Sequence, residues 1–136
     1  MSYLLDTNVL SEIRKPRPHK AVATWFEGVS GTELFLSVLA VGEIRQGVVR
    51  IRRRDPRQAG VYETWLSALR RDFAERILPV TEDAAIEWGR MNAGDPLPAV
   101  DSLMAATAKV HGLTYVTRDV EGLERTGIAL LNPFEG

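Results

Sequence analysis

Cysteine is absent from the chain. That excludes disulfides, thiol nucleophiles and thiolate metal sites. Histidine is scarce: His19 and His111 are the only two, too few for a histidine-built zinc centre. Both fall near expected helix ends and are read as structural. No apolar run approaches the roughly 20 residues that span a bilayer, so no membrane partner is expected. The opening residues lack a basic segment followed by an apolar signal core, and the cytoplasm is the expected location. Neither sign of charge dominates: 17 basic residues stand against 18 acidic ones, a net charge of −1. A polyanion must therefore be met by a local basic patch and not by the molecule as a whole. Internal repeats and low-complexity tracts are missing too.

What remains is ordinary globular material. With 136 residues, 45% hydrophobic and 26% charged, the chain suits a single domain over 1–136 with a substantial core. Short apolar runs predict strands over 3–5, 33–37, 77–80, 114–117 and 128–131. Helical spacing of apolar residues predicts helices over 7–14, 19–27, 38–53, 55–75, 81–92 and 98–111; Val41, Ile44, Val48 and Ile51 are one such stripe. Pro16 and Pro18 stop the first helix, Gly112 ends the last, and Pro98 is expected at that helix's first position. Short strands separated by helices imply an α/β/α sandwich of three layers around a mainly parallel sheet of about five short strands.

Four acids stand where this pattern hands a strand over to a helix or loop. Asp6 closes the first apolar run, Glu43 follows the second by a helical stretch, Asp101 opens the helix begun at Pro98, and Asp119 follows Thr117-Arg118. Each has an ordinary explanation. Asp6 suits a helix N-cap, Asp101 suits the positive end of a helix dipole, Asp119 suits a cap on the next turn, and Glu43 suits a solvated helix face. Jointly they point elsewhere. In a parallel sheet the strands' carboxyl ends share one edge, where ligands bind. Two carboxylates 4 Å apart repel by roughly 4 kcal/mol at an effective dielectric near 20, so four gathered there require protonation or a cation. All-oxygen ligands select hard ions, Mg²⁺ or Mn²⁺, which serve phosphodiester hydrolysis through one or two metal ions. Gly42 and Gly47 flank Glu43; they either leave room for substrate or permit close helix packing.

These residues resemble the PIN-domain ribonucleases, and within them the VapC-type toxins of bacterial toxin–antitoxin pairs. The resemblance runs through Leu4-Leu5-Asp6-Thr7-Asn8-Val9, Glu43-Ile44-Arg45-Gln46-Gly47, Asp101-Ser102-Leu103-Met104-Ala105-Ala106-Thr107-Ala108, Thr117-Arg118-Asp119 and the ending Leu130-Leu131-Asn132-Pro133-Phe134. It covers nearly the whole chain, with four short motifs in order. It implies a PIN-like fold, Mg²⁺-dependent cleavage of RNA, a small cognate antitoxin of the VapB type and a homodimer. It carries metal binding onto Asp6, Glu43, Asp101 and Asp119, with Thr117 orienting a water or a carboxylate and Asn8 bonding within the pocket. Many relatives have asparagine where Asp119 stands, followed by an Asp-Phe pair; here Gly122-Leu123 occur instead.

The densest basic run is Arg50 to Arg57. Arg45, Arg50, Arg53 and Arg118 are the candidate RNA contacts, because guanidinium forks match phosphate oxygens. A solvated charged face is the ordinary alternative for the run, and an acid partner for Arg118. Trp25, Trp65 and Trp88 have faces that could stack bases, but their apolar neighbours at helical spacing assign them to the core. Two other readings stand beside the nuclease. One is a catalytically inactive PIN-like module that binds RNA or antitoxin without cutting. The other is a phosphotransfer domain, which would need a lysine on a late strand; the chain has Arg118 there instead.

Overall fold

The computed structural model describes residues 1–135. Five strands, β1 (Tyr3–Leu5), β2 (Leu34–Ser37), β3 (Ile77–Leu78), β4 (Thr114–Val116) and β5 (Leu130–Leu131), form one sheet in the order β3-β2-β1-β4-β5. Every pairing is parallel, with Leu4 opposite Phe35 on one side and Tyr115 on the other. Leu4, Leu5, Tyr115 and Val116 are fully buried, as strands covered on both faces must be. Each such leucine contributes roughly 1.5–3 kcal/mol through burial.

Six helices connect the strands: α1 (Thr7–Ile13), α2 (Lys20–Glu27), α3 (Val38–Arg52), α4 (Pro56–Asp72), α5 (Glu82–Met91) and α6 (Ala99–Val110). From β1 to β3 the chain moves one way across the sheet, and from β3 to β4 it returns past β1. Right-handed crossovers therefore put α1 to α4 on one face and α5 with α6 on the other. The contacts of α1 with α3, α3 with α4 and α5 with α6 fit this. The result is the three-layer sandwich that the alternating pattern predicts. The reversal of direction leaves a crevice between β1 and β4 at the carboxyl edge, the place where open α/β sheets bind ligands.

Local chemistry explains most element ends. The Asp55 side chain caps α4 by accepting the Gln58 amide at 3.1 Å, and the Thr81 hydroxyl caps α5 through the Ala84 amide at 3.1 Å. His19 caps α2, its Nδ1 accepting the Ala21 amide at 3.2 Å. Gly112 follows α6 with φ 67°, a left-handed conformation that glycine adopts without a Cβ penalty. Other boundaries move. Residue 33 belongs to a 3₁₀ turn (Gly31–Glu33), and β3 stops at Leu78 because Pro79 has no amide to give the ladder. Pro98 sits at the N-cap of α6 with extended ψ of 131°, not at the first helical position. Its carbonyl accepts the Ser102 amide at 2.9 Å. Trp25 meets Tyr3 edge-on at 5.3 Å, and Trp88 donates its indole N–H to the Ser102 hydroxyl at 3.0 Å. Trp65 packs on the same core from α4.

Candidate active site

A cavity of about 430 Å³ opens at the crevice, and Asp6, Glu43, Asp101 and Asp119 all line it, together with Thr7, Asn8, Ser11 and Met104. Four segments far apart in the chain thus face one space. Asp6 is the residue where β1 ends. Its amide bonds the Val116 carbonyl at 2.9 Å, so the β1–β4 ladder fixes its backbone. Its two carboxylate oxygens do different work. One accepts the Thr7 amide at 2.6 Å, the expected cap of α1, and the other accepts the Thr117 hydroxyl at 2.7 Å. The Thr117 oxygen meanwhile accepts the Asp119 amide at 3.0 Å, which leaves its proton aimed at Asp6. Thr117 is fully buried, so its hydroxyl orients a carboxylate of the cavity.

The other acids are held as firmly. Asp101 lies in the first turn of α6 and accepts the Tyr115 hydroxyl at 2.6 Å. A helix that delivers the chain to the amino end of β4 must begin at the carboxyl edge, and Tyr115 ties Asp101 down to the strand there. Glu43, on the second turn of α3, accepts the Thr7 hydroxyl at 2.6 Å. Asp119 accepts the Asn8 amide group at 3.2 Å. The Asn8 carbonyl oxygen is buried without a hydrogen-bond partner, which is costly for a polar atom with nothing to bind.

Burial and mutual repulsion mark this cavity electrically. The Asp6 carboxyl is raised from its usual 3.8 to about 6, first by burial. The Thr117 hydrogen bond opposes the rise, the Asp101 charge adds to it, and the Thr7 amide and Glu43 act in the same two senses more weakly. Asp101 is also raised, mainly by burial, against the Tyr115 hydrogen bond and with Asp119 and Glu43 adding. Burial and the Asp6 and Asp101 charges push the Tyr115 phenol well above its usual value. Acids held in such a state are relieved by a cation. Among the described residues, no three acidic or histidine side chains close around a single point. An ion here would keep much of its water, as Mg²⁺ does when one or two carboxylates bind it. The carboxylate oxygens on the lining, the buried Asp6 carboxyl and the unpartnered Asn8 oxygen fit such an ion.

The four candidate RNA contacts separate. Arg118 lines an adjoining cavity of about 510 Å³ with Asp101 and Asp119. Its guanidinium lies 4.4 Å from the Phe134 ring centre. Arg45 pairs with Glu63 of α4 at 2.6 Å, and Arg52 reaches the same acid at 3.3 Å. Arg50 and Arg53 are exposed at the far end of α3, about 10 and 15 Å along the axis from Glu43 at 1.5 Å per residue. Tyr115, Thr7 and Ser11 were not predicted as site residues. A tyrosine inside a buried strand needs a partner for its hydroxyl, which is the signal that could have joined Tyr115 to α6.

Known proteins resemble the chain over nearly its whole length. The PIN domain profile matches residues 3–128. The toxin FitB of Neisseria gonorrhoeae is 33% identical, over 96% of this chain and 97% of that protein. The VapC ribonuclease Y4jK of Sinorhizobium fredii is 34% identical, over 97% of each. The crystal structure of FitAcB from Neisseria gonorrhoeae superposes with a TM-score of 0.90 at 33% identity, covering 98% of this chain and 99% of that one.

Proposed function

The chain belongs to the PIN-domain family, and from that membership and its cavity we propose that it is a Mg²⁺-dependent endoribonuclease, the toxin of a toxin–antitoxin pair. The observation that carries this is the meeting of Asp6, Glu43, Asp101 and Asp119 on one cavity at the β1–β4 crevice. RNA as substrate and the toxin role follow the names of relatives at 33–34% identity, a toxin and a VapC ribonuclease.

Asp6 and Asp101 are the proposed direct ligands of Mg²⁺ or Mn²⁺, with Glu43 and Asp119 acting on its waters or as further ligands. When bound, the metal supplies charge neutralisation at the phosphoryl group and activation of a water. The chain's own residues supply orientation. Thr117 holds the Asp6 carboxylate, Tyr115 holds Asp101 and Thr7 holds Glu43, so their charges stand in place before substrate arrives. Such preorganisation avoids reorganisation cost at the moment of reaction. Arg118, beside Asp101 and Asp119, is the proposed first phosphate contact; Arg45, Arg50 and Arg53 would act farther along the strand of RNA. A small VapB-type antitoxin is the proposed inhibitor and a homodimer the proposed assembly. Among the described residues no helix is long and apolar enough to cross a membrane; the proposed site of action is the cytoplasm.

The test is cleavage of single-stranded RNA by the purified chain. Cutting in Mg²⁺ that stops in EDTA and in Asp6→Asn supports the reading. Cleavage that survives in EDTA, or that Asp6→Asn leaves intact, defeats it.

A further inference from the structure

A second cavity, of about 210 Å³, adjoins the acidic one and shares Thr7, Ser11 and Glu43 with it. Tyr62 and Trp65, on α4, and Ile44, Gly47, Val48 and Ile51, on α3, line the rest. Gly47 is the informative residue. It lies inside α3, where glycine is destabilising relative to alanine. A Cβ built on it meets no atom within 4 Å, so close helix packing does not require the glycine. Its missing side chain instead leaves the cavity open. Arg14, at the end of α1, lies 4.2 Å from the centre of the Tyr62 ring and 5.3 Å from that of Trp65. The aromatic wall is thereby ordered and carries a positive charge, next to a cavity lined by acids.

We propose that this cavity is a nucleobase subsite. It receives the base of a nucleotide neighbouring the phosphodiester that stands over the acidic cavity, a placement that rests on the nuclease reading. Shape and chemistry favour this occupant. The space suits one planar ring, whereas a protein helix of ~10–12 Å diameter exceeds it. Aromatic walls stack any base, the arginine favours the attached phosphates, and the hydroxyls of Thr7 and Ser11 stand at the shared mouth. A base reaches such a pocket only when splayed out of a helix, so the nucleotide that carries it must be unpaired.

The experiment is fluorescence anisotropy in Ca²⁺ with labelled hexamers rA6, rU6 and rC6 and a tetrahydrofuran abasic hexamer. The wild type is expected to bind at least one base-bearing hexamer about tenfold more tightly than the abasic one. In Gly47→Leu and in Trp65→Ala that ratio should fall to within about twofold of one, with Gly47→Ala intermediate. Gly60 of α4, also with no atom within 4 Å of a built Cβ, supplies the control, and Gly60→Leu should keep the wild-type ratio. Should Gly47→Leu fail to fold, Gly47→Ala and Trp65→Ala carry the same comparison. A wild-type ratio of one overturns the proposal, as does an unchanged ratio in the Gly47 and Trp65 variants. If those variants instead weaken binding of a protein partner with the ratio unchanged, the cavity holds a partner side chain and the base subsite is refuted. RNA left intact in Mg²⁺ would sink the nuclease reading alone, because the ratio is measured without cleavage.

Discussion

Replacing Asp6 by asparagine should make the metal-free protein more stable while removing its chemistry. Burial raises the Asp6 carboxyl from 3.8 to about 6. The folded state therefore disfavours the charged form. Well below pH 4 the group is protonated whether the chain is folded or not, and no penalty exists. As the pH rises from 4 to 6 the unfolded chain loses the proton first, and folding stability falls. Above pH 6 the full penalty is present, about 3 kcal/mol at ~1.4 kcal/mol per tenfold. Asparagine avoids that charge but cannot accept from both the Thr7 amide and the Thr117 hydroxyl. One lost hydrogen bond costs about 1 kcal/mol, leaving a net gain near 2 kcal/mol. Urea denaturation in EDTA at pH 7.5 should show this gain as a higher midpoint with an unchanged slope. The gain should disappear between about pH 4 and 5 and turn into a loss of about 1 kcal/mol at lower pH, where only the missing hydrogen bond counts. Added Mg²⁺ should stabilise the wild type and leave Asp6→Asn nearly unmoved, narrowing the gap. A variant less stable than wild type in EDTA at pH 7.5, or a gap that ignores pH, would refute the reasoning.

Three further outcomes are expected. Thr117→Val removes a buried hydroxyl that serves both Asp6 and the Asp119 amide; it should cost about 1–3 kcal/mol in urea denaturation and lower RNA cleavage, with Thr117→Ser restoring most of both. Tyr115→Phe removes the hydrogen bond that lowers the Asp101 carboxyl, so Asp101 should titrate higher and the acidic limb of the pH–rate profile should move to higher pH. Arg118→Ala should raise KM for RNA with little change in kcat and flatten the salt dependence, whereas Arg45→Ala should raise KM less and leave thermal stability nearly unchanged, because its pair with Glu63 is exposed and contributes little.

The sheet was readable because its strands are buried on both faces, so runs such as Tyr3-Leu4-Leu5 and Thr114-Tyr115-Val116 stand out without alternation. Helix starts were readable where a side chain caps them, as at Asp55 and Thr81. Strand ends were less so. Val80 and Ile128 look like strand residues, but β3 stops at Leu78, before Pro79, and β5 starts only at Leu130. Asp6 was readable both as cap and as pocket residue, and it is both. Glu43 was marked by its motif and its flanking glycines, but its bond to Thr7 across 36 residues had no local mark. The role of Gly47 stayed open between packing and space until its surroundings were known.

Residue order alone settled the alternation of strands and helices, the placing of acids near strand exits and the lack of any thiol, because propensity, burial pattern and donor type are local properties. Folding decided which of those acids face one another. It also decided that Thr117 and Tyr115 steer Asp6 and Asp101, that Arg118 alone of the four candidate arginines borders the acids, and that an empty space lies beside Glu43. Those are distances between segments as much as 111 residues apart, and only the crossovers that carry the chain past β1 and back determine them.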